Sequence, residues 1–203
     1  MKARSEKGFT LVEVVVMLAI LMILLGVGLP SLFAAMKNSR LSSDYGDLVG
    51  ALFLARSEAV KHSTFVSVCA RASDDSCGED WSNGWLVFTD FQNQPNDMAG
   101  VIDQGDRVLR VVAPIDDREL SSFAVLSELK ESPGAGAPQA FVQYNPRGTN
   151  NNWSTGTFTL CDSRGVDVAR AVNLIPSGDI RKARKADGIA VPSDVFGQPI
   201  SCP

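Results

Sequence analysis

From Phe9 to Leu29 the chain runs for 21 residues with one charge, Glu13, in an otherwise largely apolar stretch. As a helix this run reaches about 32 Å, enough to cross the core of a bilayer. The leader before it, MKARSEKG, sets Lys2, Arg4 and Lys7 against Glu6. That positive bias predicts a cytoplasmic N-terminus and export of everything beyond the span. An ordinary secretory signal would end at a small-residue cleavage site, and no such site follows the apolar run.

Beyond Pro30 the pattern changes. Leu41, Tyr45, Leu48, Leu52, Ala55 and Ala59 recur every three or four residues, while Asp44, Asp47, Arg56 and Glu58 fall largely off that stripe. This is one face of an amphipathic helix. Pro30 removes a backbone donor and predicts a kink or local melting, not an end, and Gly26 and Gly28 each weaken the helix by about 1 kcal/mol. The expectation is one helical element from Phe9 to about His62, roughly 80 Å long at ~1.5 Å per residue.

The remainder alternates short β-branched or aromatic runs with Gly, Pro, Asn and Asp clusters. Strands are predicted at 65–70, 85–91, 107–113, 123–126, 140–144, 157–160 and 169–175. Hairpin-length links favour antiparallel pairing, and the stretches around Gln92–Gly100 and Glu131–Pro138 read as surface loops. The fold class is therefore α+β, a long helix on an antiparallel β-sheet head. The expected organisation is a leader at 1–8, an apolar half-helix at 9–30, an amphipathic half-helix at 31–63 and a β-rich head at 64–203.

Glu13 is the anomaly in this scheme. A carboxylate in the hydrocarbon costs about 2.5–3.5 kcal/mol on insertion scales, so it needs a partner. Cleavage between Gly8 and Phe9 would create one, the new α-amino group of a neighbouring copy. The sequence Gly8-Phe9-Thr10-Leu11-Val12-Glu13, followed by the apolar run with Gly26, Gly28 and Pro30, resembles the class III leader of type IV pilins and pseudopilins. The resemblance implies that a prepilin peptidase cuts after Gly8 and methylates the amine of Phe9, and that Glu13 registers subunits. It also implies that Pro30 kinks the helix. The mature chain would then carry 16 basic against 22 acidic residues, a net charge of −6.

The head carries its own resemblance. LFLARSEAVK at Leu52–Lys61, VSVC at Val66–Cys69, GWLVFTD at Gly84–Asp90, NPRGT at Asn145–Thr149 and FTLCDSRG at Phe158–Gly165 are similar to the GspH/FimT family. This implies a minor type IV pilin of the FimU/FimT type, a structural subunit that helps initiate or cap assembly of a fibre. Its implied partners are other minor and major pilins, the prepilin peptidase and the inner-membrane assembly platform. The implied path runs from a single-pass inner-membrane form, head in the periplasm, to the fibre at the cell surface. A minor pseudopilin of type II secretion is the neighbouring alternative, with NPRGT and CDSRG favouring the pilus-type members.

Composition changes this picture little. Over 203 residues the 45% hydrophobic and 21% charged content excludes wholesale disorder, and a net charge of −4 argues against a uniformly basic nucleic-acid coat. Cys69, Cys77, Cys161 and Cys202 all fall in the exported part and read as two bridges. Three connectivities are open. The preferred one joins Cys69 to Cys77 and Cys161 to Cys202, for about 2.5 and about 4 kcal/mol in the chain-entropy model. A zinc site lacks paired Cys-x-x-Cys spacing.

Little else suggests chemistry. The single histidine, His62, sits at a helix end, where it complements the dipole or is solvated. No phosphate loop, serine elbow or metal-helix signature is present, so neither an enzyme nor a cofactor is expected. Asp74, Asp75, Glu79 and Asp80 lack an EF-hand's alternation and read as a solvated acidic loop. Asn152-Trp153-Ser154 matches a glycosylation sequon, of little weight behind a bacterial-type leader.

Arg181, Lys182, Arg184 and Lys185, just after the last predicted strand, are candidate DNA contacts for a subunit serving natural transformation. Such a run grips phosphates without reading bases. The DNA-uptake members of the family carry Gly-Arg-x-Arg near the C-terminus. Here Gly178-Asp179-Ile180-Arg181 keeps only the first and last positions. A solvated charge run or a contact with a neighbouring subunit is the plainer reading.

Overall fold

The structure, a computed structural model, describes residues 8, 10–91, 97–113, 124–130, 141–151, 155–184 and 191–202. Phe9, Phe123, Lys185, the Asn152–Ser154 sequon, and the loop stretches 92–96 and 131–138 lie outside the described residues. The chain divides into two compact units, Met1–Arg40 and Leu41–Pro203.

Helix α1 covers Leu11–His62, 52 residues with Pro30 inside it. Thr10 begins it: its hydroxyl accepts the Glu13 N–H at 3.3 Å and its carbonyl accepts the Val14 N–H at 3.2 Å. Those are the bonds of an N-cap residue, which satisfies donors the first turn leaves open. At the other end Ser63 turns to φ 51°, in the left-handed region, and Thr64 N–H reaches back to the Ala59 carbonyl at 3.1 Å. The chain leaves the helix there. Within the first unit every described side chain from Leu11 to Met36 is exposed.

In the second unit the stripe of α1 becomes core. Leu41, Leu48, Ala51, Leu52, Ala55 and Ala59 are all buried, with Tyr45 packed beside them. They meet two antiparallel sheets. In the first, β1 (Val66–Ser73) is central: β3 (Trp85–Thr89) lies on one edge and carries β4 (Val108–Val112), while β2 (Ser76–Gly78) and β6 (Phe141–Tyr144) share the other edge. The second sheet, in the order β5-β7-β8-β9, comprises Ala124–Lys130, Thr155–Cys161, Arg170–Leu174 and Ile180–Lys182.

Alternation sorts each strand. Val66, Val68, Trp85, Val87, Phe158, Leu160, Val172 and Leu174 face the helix-bearing core, which Trp81 and Phe158 knit edge to face at 4.7 Å. The outward faces carry smaller clusters of their own: Cys69, Leu86 and Phe88 on the first sheet, Cys161, Ala171, Ala183 and Ile200 on the second.

Two departures from expectation have local causes. Strand β2 is only three residues and polar, and β9 is Ile-Arg-Lys, so neither shows an apolar run of strand length. The basic segment therefore starts on a strand rather than after one. The head has the expected α+β architecture, with two antiparallel sheets among the described residues and β6 paired to distant β1 and not to β5.

Gly84 tests this packing. Its φ is 87°, and a Cβ there would lie 2.2 Å from the Val112 carbonyl oxygen. Gly84→Ala is expected to cost about 2–4 kcal/mol, read as a fall of about 5–15 °C in the tryptophan-monitored Tm. Gly165 has a similar φ of 83° but open space around it, so Gly165→Ala is expected to cost only about 1 kcal/mol.

Candidate functional site

At the N-terminus Gly8 is exposed and outside the helix, and Glu13 occupies the third helical position, also exposed. An acid in the first turn meets the positive end of the helix dipole. Thr10-x-x-Glu13 is the sequence pattern of a capping box, whose Thr10 half is formed here. The Thr-x-x-Glu spacing in the sequence carries this signal, separately from the cost of the Glu13 charge. Pro30 lies within continuous helix.

The cysteines pair as Cys69–Cys77 and Cys161–Cys202, with Cα atoms 5.6 and 5.8 Å apart. Each bridge sits in the outward cluster of its own sheet. The first staples the β1–β2 hairpin. The second holds the C-terminal segment across β7, where Val195 N–H also donates to the Thr157 hydroxyl at 2.9 Å and the Asn173 amide donates to the Ser193 carbonyl at 3.2 Å.

The head motifs turn out to be turns and clamps. In NPRGT, Asn145 Oδ1 accepts the N–H groups of Arg147 and Thr149 at 2.9 and 3.3 Å, closing the loop on itself. Gly148, at φ 76°, and Gly178, at φ 79°, have no room for a side chain: a Cβ would fall 2.9 Å from Val60 of α1 and 2.2 Å from the Gly148 carbonyl oxygen respectively. In CDSRG, Asp162 is buried and accepts the Arg164 backbone N–H at 2.9 Å and its Nε at 3.0 Å. The hydrogen bonds to Asp162 raise the Arg164 guanidinium, outweighing the lowering effect of burial.

Among the described residues two ion pairs link α1 to the head: Asp47 to Arg110 of β4 at 2.8 Å, and Arg56 to Asp179, just before β9, at 2.8 Å. The second explains the acid found where the DNA-uptake motif has arginine. Asp179 accepts from Arg56 Nη1 and from the Ser177 hydroxyl, and these bonds hold its carboxyl below the usual range. An arginine at that position would face another arginine.

Asp90 is a buried polar centre that the sequence pattern does not single out. It is 1% exposed, and its Oδ2 accepts from the Ser67 hydroxyl, the Gly100 N–H at 2.8 Å and the Gln143 amide at 2.7 Å. Burial pushes its carboxyl up despite those three donors. Its role is to tie the loop through Gly100 to β1 and β6. Nothing in the local sequence distinguishes it from a surface aspartate, since its donors come from three separate places.

The remaining candidates are surface features. His62 lies 3.2 Å from Glu58, with Lys61 nearby at the exposed helix end. Asp74 pairs with Arg71 at 2.7 Å and Asp80 caps the short 3-10 helix Trp81–Asn83 by accepting the Ser82 N–H at 2.9 Å. No group of acids, cysteines or histidine suited to a metal ion occurs among the described residues. Arg181 and Lys182 are exposed on β9 and Arg184 follows, bordering a cleft of about 690 Å³.

Two family models match. One, described as type II transport protein GspH, matches residues 46–178, well over half of the chain. The chain belongs to the GspH family. The second, the prokaryotic N-terminal methylation motif, matches residues 3–29. Together they make it a pilin-like protein of the minor pilin and pseudopilin class. The fold is also that of the type IV minor pilin FimU of Pseudomonas aeruginosa strain PAO1: a crystal structure in space group P21 aligns with a TM-score of 0.51 at 19% identity, over 73% of this chain and 91% of that one. A second crystal form, P65, gives 0.48 at 19%, over 70% and 92%. No curated protein matches the chain.

The Arg56–Asp179 clamp has a pH signature. A carboxyl held below its unfolded value, about 3.9, stabilises above that pH and loses its contribution as pH falls through the folded value. Wild type should therefore melt above Asp179→Asn at pH 7, and the gap should shrink progressively below about pH 4 in thermal melts.

Proposed function

We propose that this GspH-family protein is a minor type IV pilin, a structural subunit that helps initiate or cap a fibre. The observation that carries the reading is the first unit of the chain. There an apolar helical segment has every described side chain exposed from Leu11 to Met36, with one carboxylate at its first turn. By length and composition the helix suits a bilayer. In water such a surface is untenable, so it needs lipid first and other helices afterwards.

The leader is removed between Gly8 and Phe9 by the prepilin peptidase, and the amine of Phe9 is methylated. Glu13 then meets the amine of a neighbouring subunit and fixes the axial register of the bundled helices. Pro30 supplies the local bend. The head stays in the periplasm until the subunit leaves the inner membrane for the fibre, and no catalysis is involved.

A second reading, the minor pseudopilin of type II secretion, draws on the printed description of the family model. The resemblance of NPRGT and CDSRG to pilus-type members favours the fibre. The identity of the neighbouring genes, pilin or secretion components, separates the two.

Two substitutions test the main reading. Gly8→Ala should leave the chain in the membrane with its eight-residue leader, heavier by intact mass. Glu13→Ala should be cleaved normally and be lost from sheared fibres by at least about tenfold, as expected when a pairing worth some 1.4 kcal/mol or more disappears. Normal amounts of Glu13→Ala in sheared fibres would refute the register role.

A further inference from the structure

The cleft beside β9 remains unused by the assembly reading. It opens on the outward face of the second sheet, where Thr157, Asn173 and Arg181 stand opposite one another on β7, β8 and β9. The Thr157 hydroxyl donates to Asn173 Oδ1 at 2.9 Å, and the Asn173 amide donates to the Ser193 carbonyl at 3.2 Å. Arg181 ends that row, and Lys182 and Arg184 follow it. All three cations are exposed and form no ion pair among the described residues. The facing wall is the C-terminal segment. Ser193 N–H donates to the Arg184 carbonyl at 3.0 Å, Val195 N–H donates to the Thr157 hydroxyl at 2.9 Å, and the Cys161–Cys202 bridge ties the far end to β7. The walls are thus fixed before a ligand arrives, which lowers the cost of binding. A volume of about 690 Å³ is that of a small-molecule site.

The lining selects the chemistry of that ligand. Two guanidiniums and an ammonium require an anion, and the planar guanidinium fork matches a carboxylate. Asp194 lines the same cleft. Its Oδ1 accepts the N–H groups of Phe196 and Gln198 at 2.9 and 2.7 Å, and its Oδ2 has no partner among the described residues. A carboxylate oxygen only accepts, so it favours a ligand with hydroxyl donors and sets like charge against a purely anionic one. Ser193, 8% exposed, keeps a hydroxyl without a partner among the described residues, and Ile175 and Val195 add apolar surface. An anion that also carries hydroxyls and an apolar ring face satisfies all of these groups together. A phosphate backbone or a peptide carboxylate satisfies only the cations.

We propose that the cleft beside β9 binds a short acidic saccharide, with the sugar carboxylate on Arg181 and Arg184 and the sugar hydroxyls on Asp194 and Ser193. The site goes beyond the fibre reading and stands or falls independently of it, because every group it uses lies within one head.

Calorimetric titration of the full-length chain, in a detergent without a sugar headgroup, tests this with digalacturonate as the probe. Saturable binding is expected, at least about tenfold tighter than that of the neutral methyl ester of the same disaccharide or of glutarate, a dicarboxylate without hydroxyls. Arg181→Ala/Arg184→Ala should weaken digalacturonate about tenfold or more. Asp194→Asn keeps Oδ1 for the turn and replaces the second acceptor with a donor, so it should lose the preference for digalacturonate over glutarate. Both variants should melt at the wild-type Tm, which separates a lost contact from a lost fold. Absence of saturable binding overturns the proposal. So does equal binding of glutarate or inorganic phosphate, or a preference that survives Asp194→Asn. Tighter, salt-sensitive binding of a single-stranded oligonucleotide, lost in the same arginine variant, would also overturn it and assign the cleft to nucleic acid.

Discussion

A single helix has to be stable in two surroundings, and the rest of the chain is arranged around that demand. Between Leu41 and Ala59 the helix has a head to bury its stripe, and at roughly 1.5–3 kcal/mol per fully buried large apolar side chain that stripe anchors the second unit. Between Leu11 and Met36 it has nothing of its own chain. Backbone groups there are satisfied by the helix itself, the only open-ended structure that hydrocarbon tolerates. Only the first turn remains exposed to that penalty, and Thr10 covers part of it by accepting the Glu13 N–H.

The head must keep its grip on α1 while much of its sequence is loop. Polar contacts at the rim serve this: Asp47 with Arg110, and Arg56 with Asp179. Each joins the helix to a different segment. Exposed pairs contribute little individually, so the apolar stripe supplies the stability and the clamps fix which loops lie beside the helix. The two disulfides work on the outward faces, where the small clusters around Cys69 and Cys161 bury too little to hold a hairpin or a chain end unaided.

Periodic features were legible in the sequence. The stripe from Leu41 to Ala59 repeats over several turns, and strands such as Trp85–Thr89 and Arg170–Leu174 are apolar enough to announce themselves. The methylation motif was readable because its residues must stand in fixed order at a cleavage site. What escaped was non-local or short. The pairing of β6 with β1 spans some 75 positions, β9 reads as a charge run, and the donors around Asp90 come from β1, β6 and a loop. The partner of Asp179 is Arg56, 123 positions away, which no local motif around Gly178 reveals.

The most direct measurement is the amount of pili sheared from cells carrying an in-frame deletion of this gene. An assembly subunit predicts a loss of pili, restored by the wild-type gene and not by Glu13→Ala. Normal pili on the deletion strain would contradict it and shift the function to secretion or DNA capture.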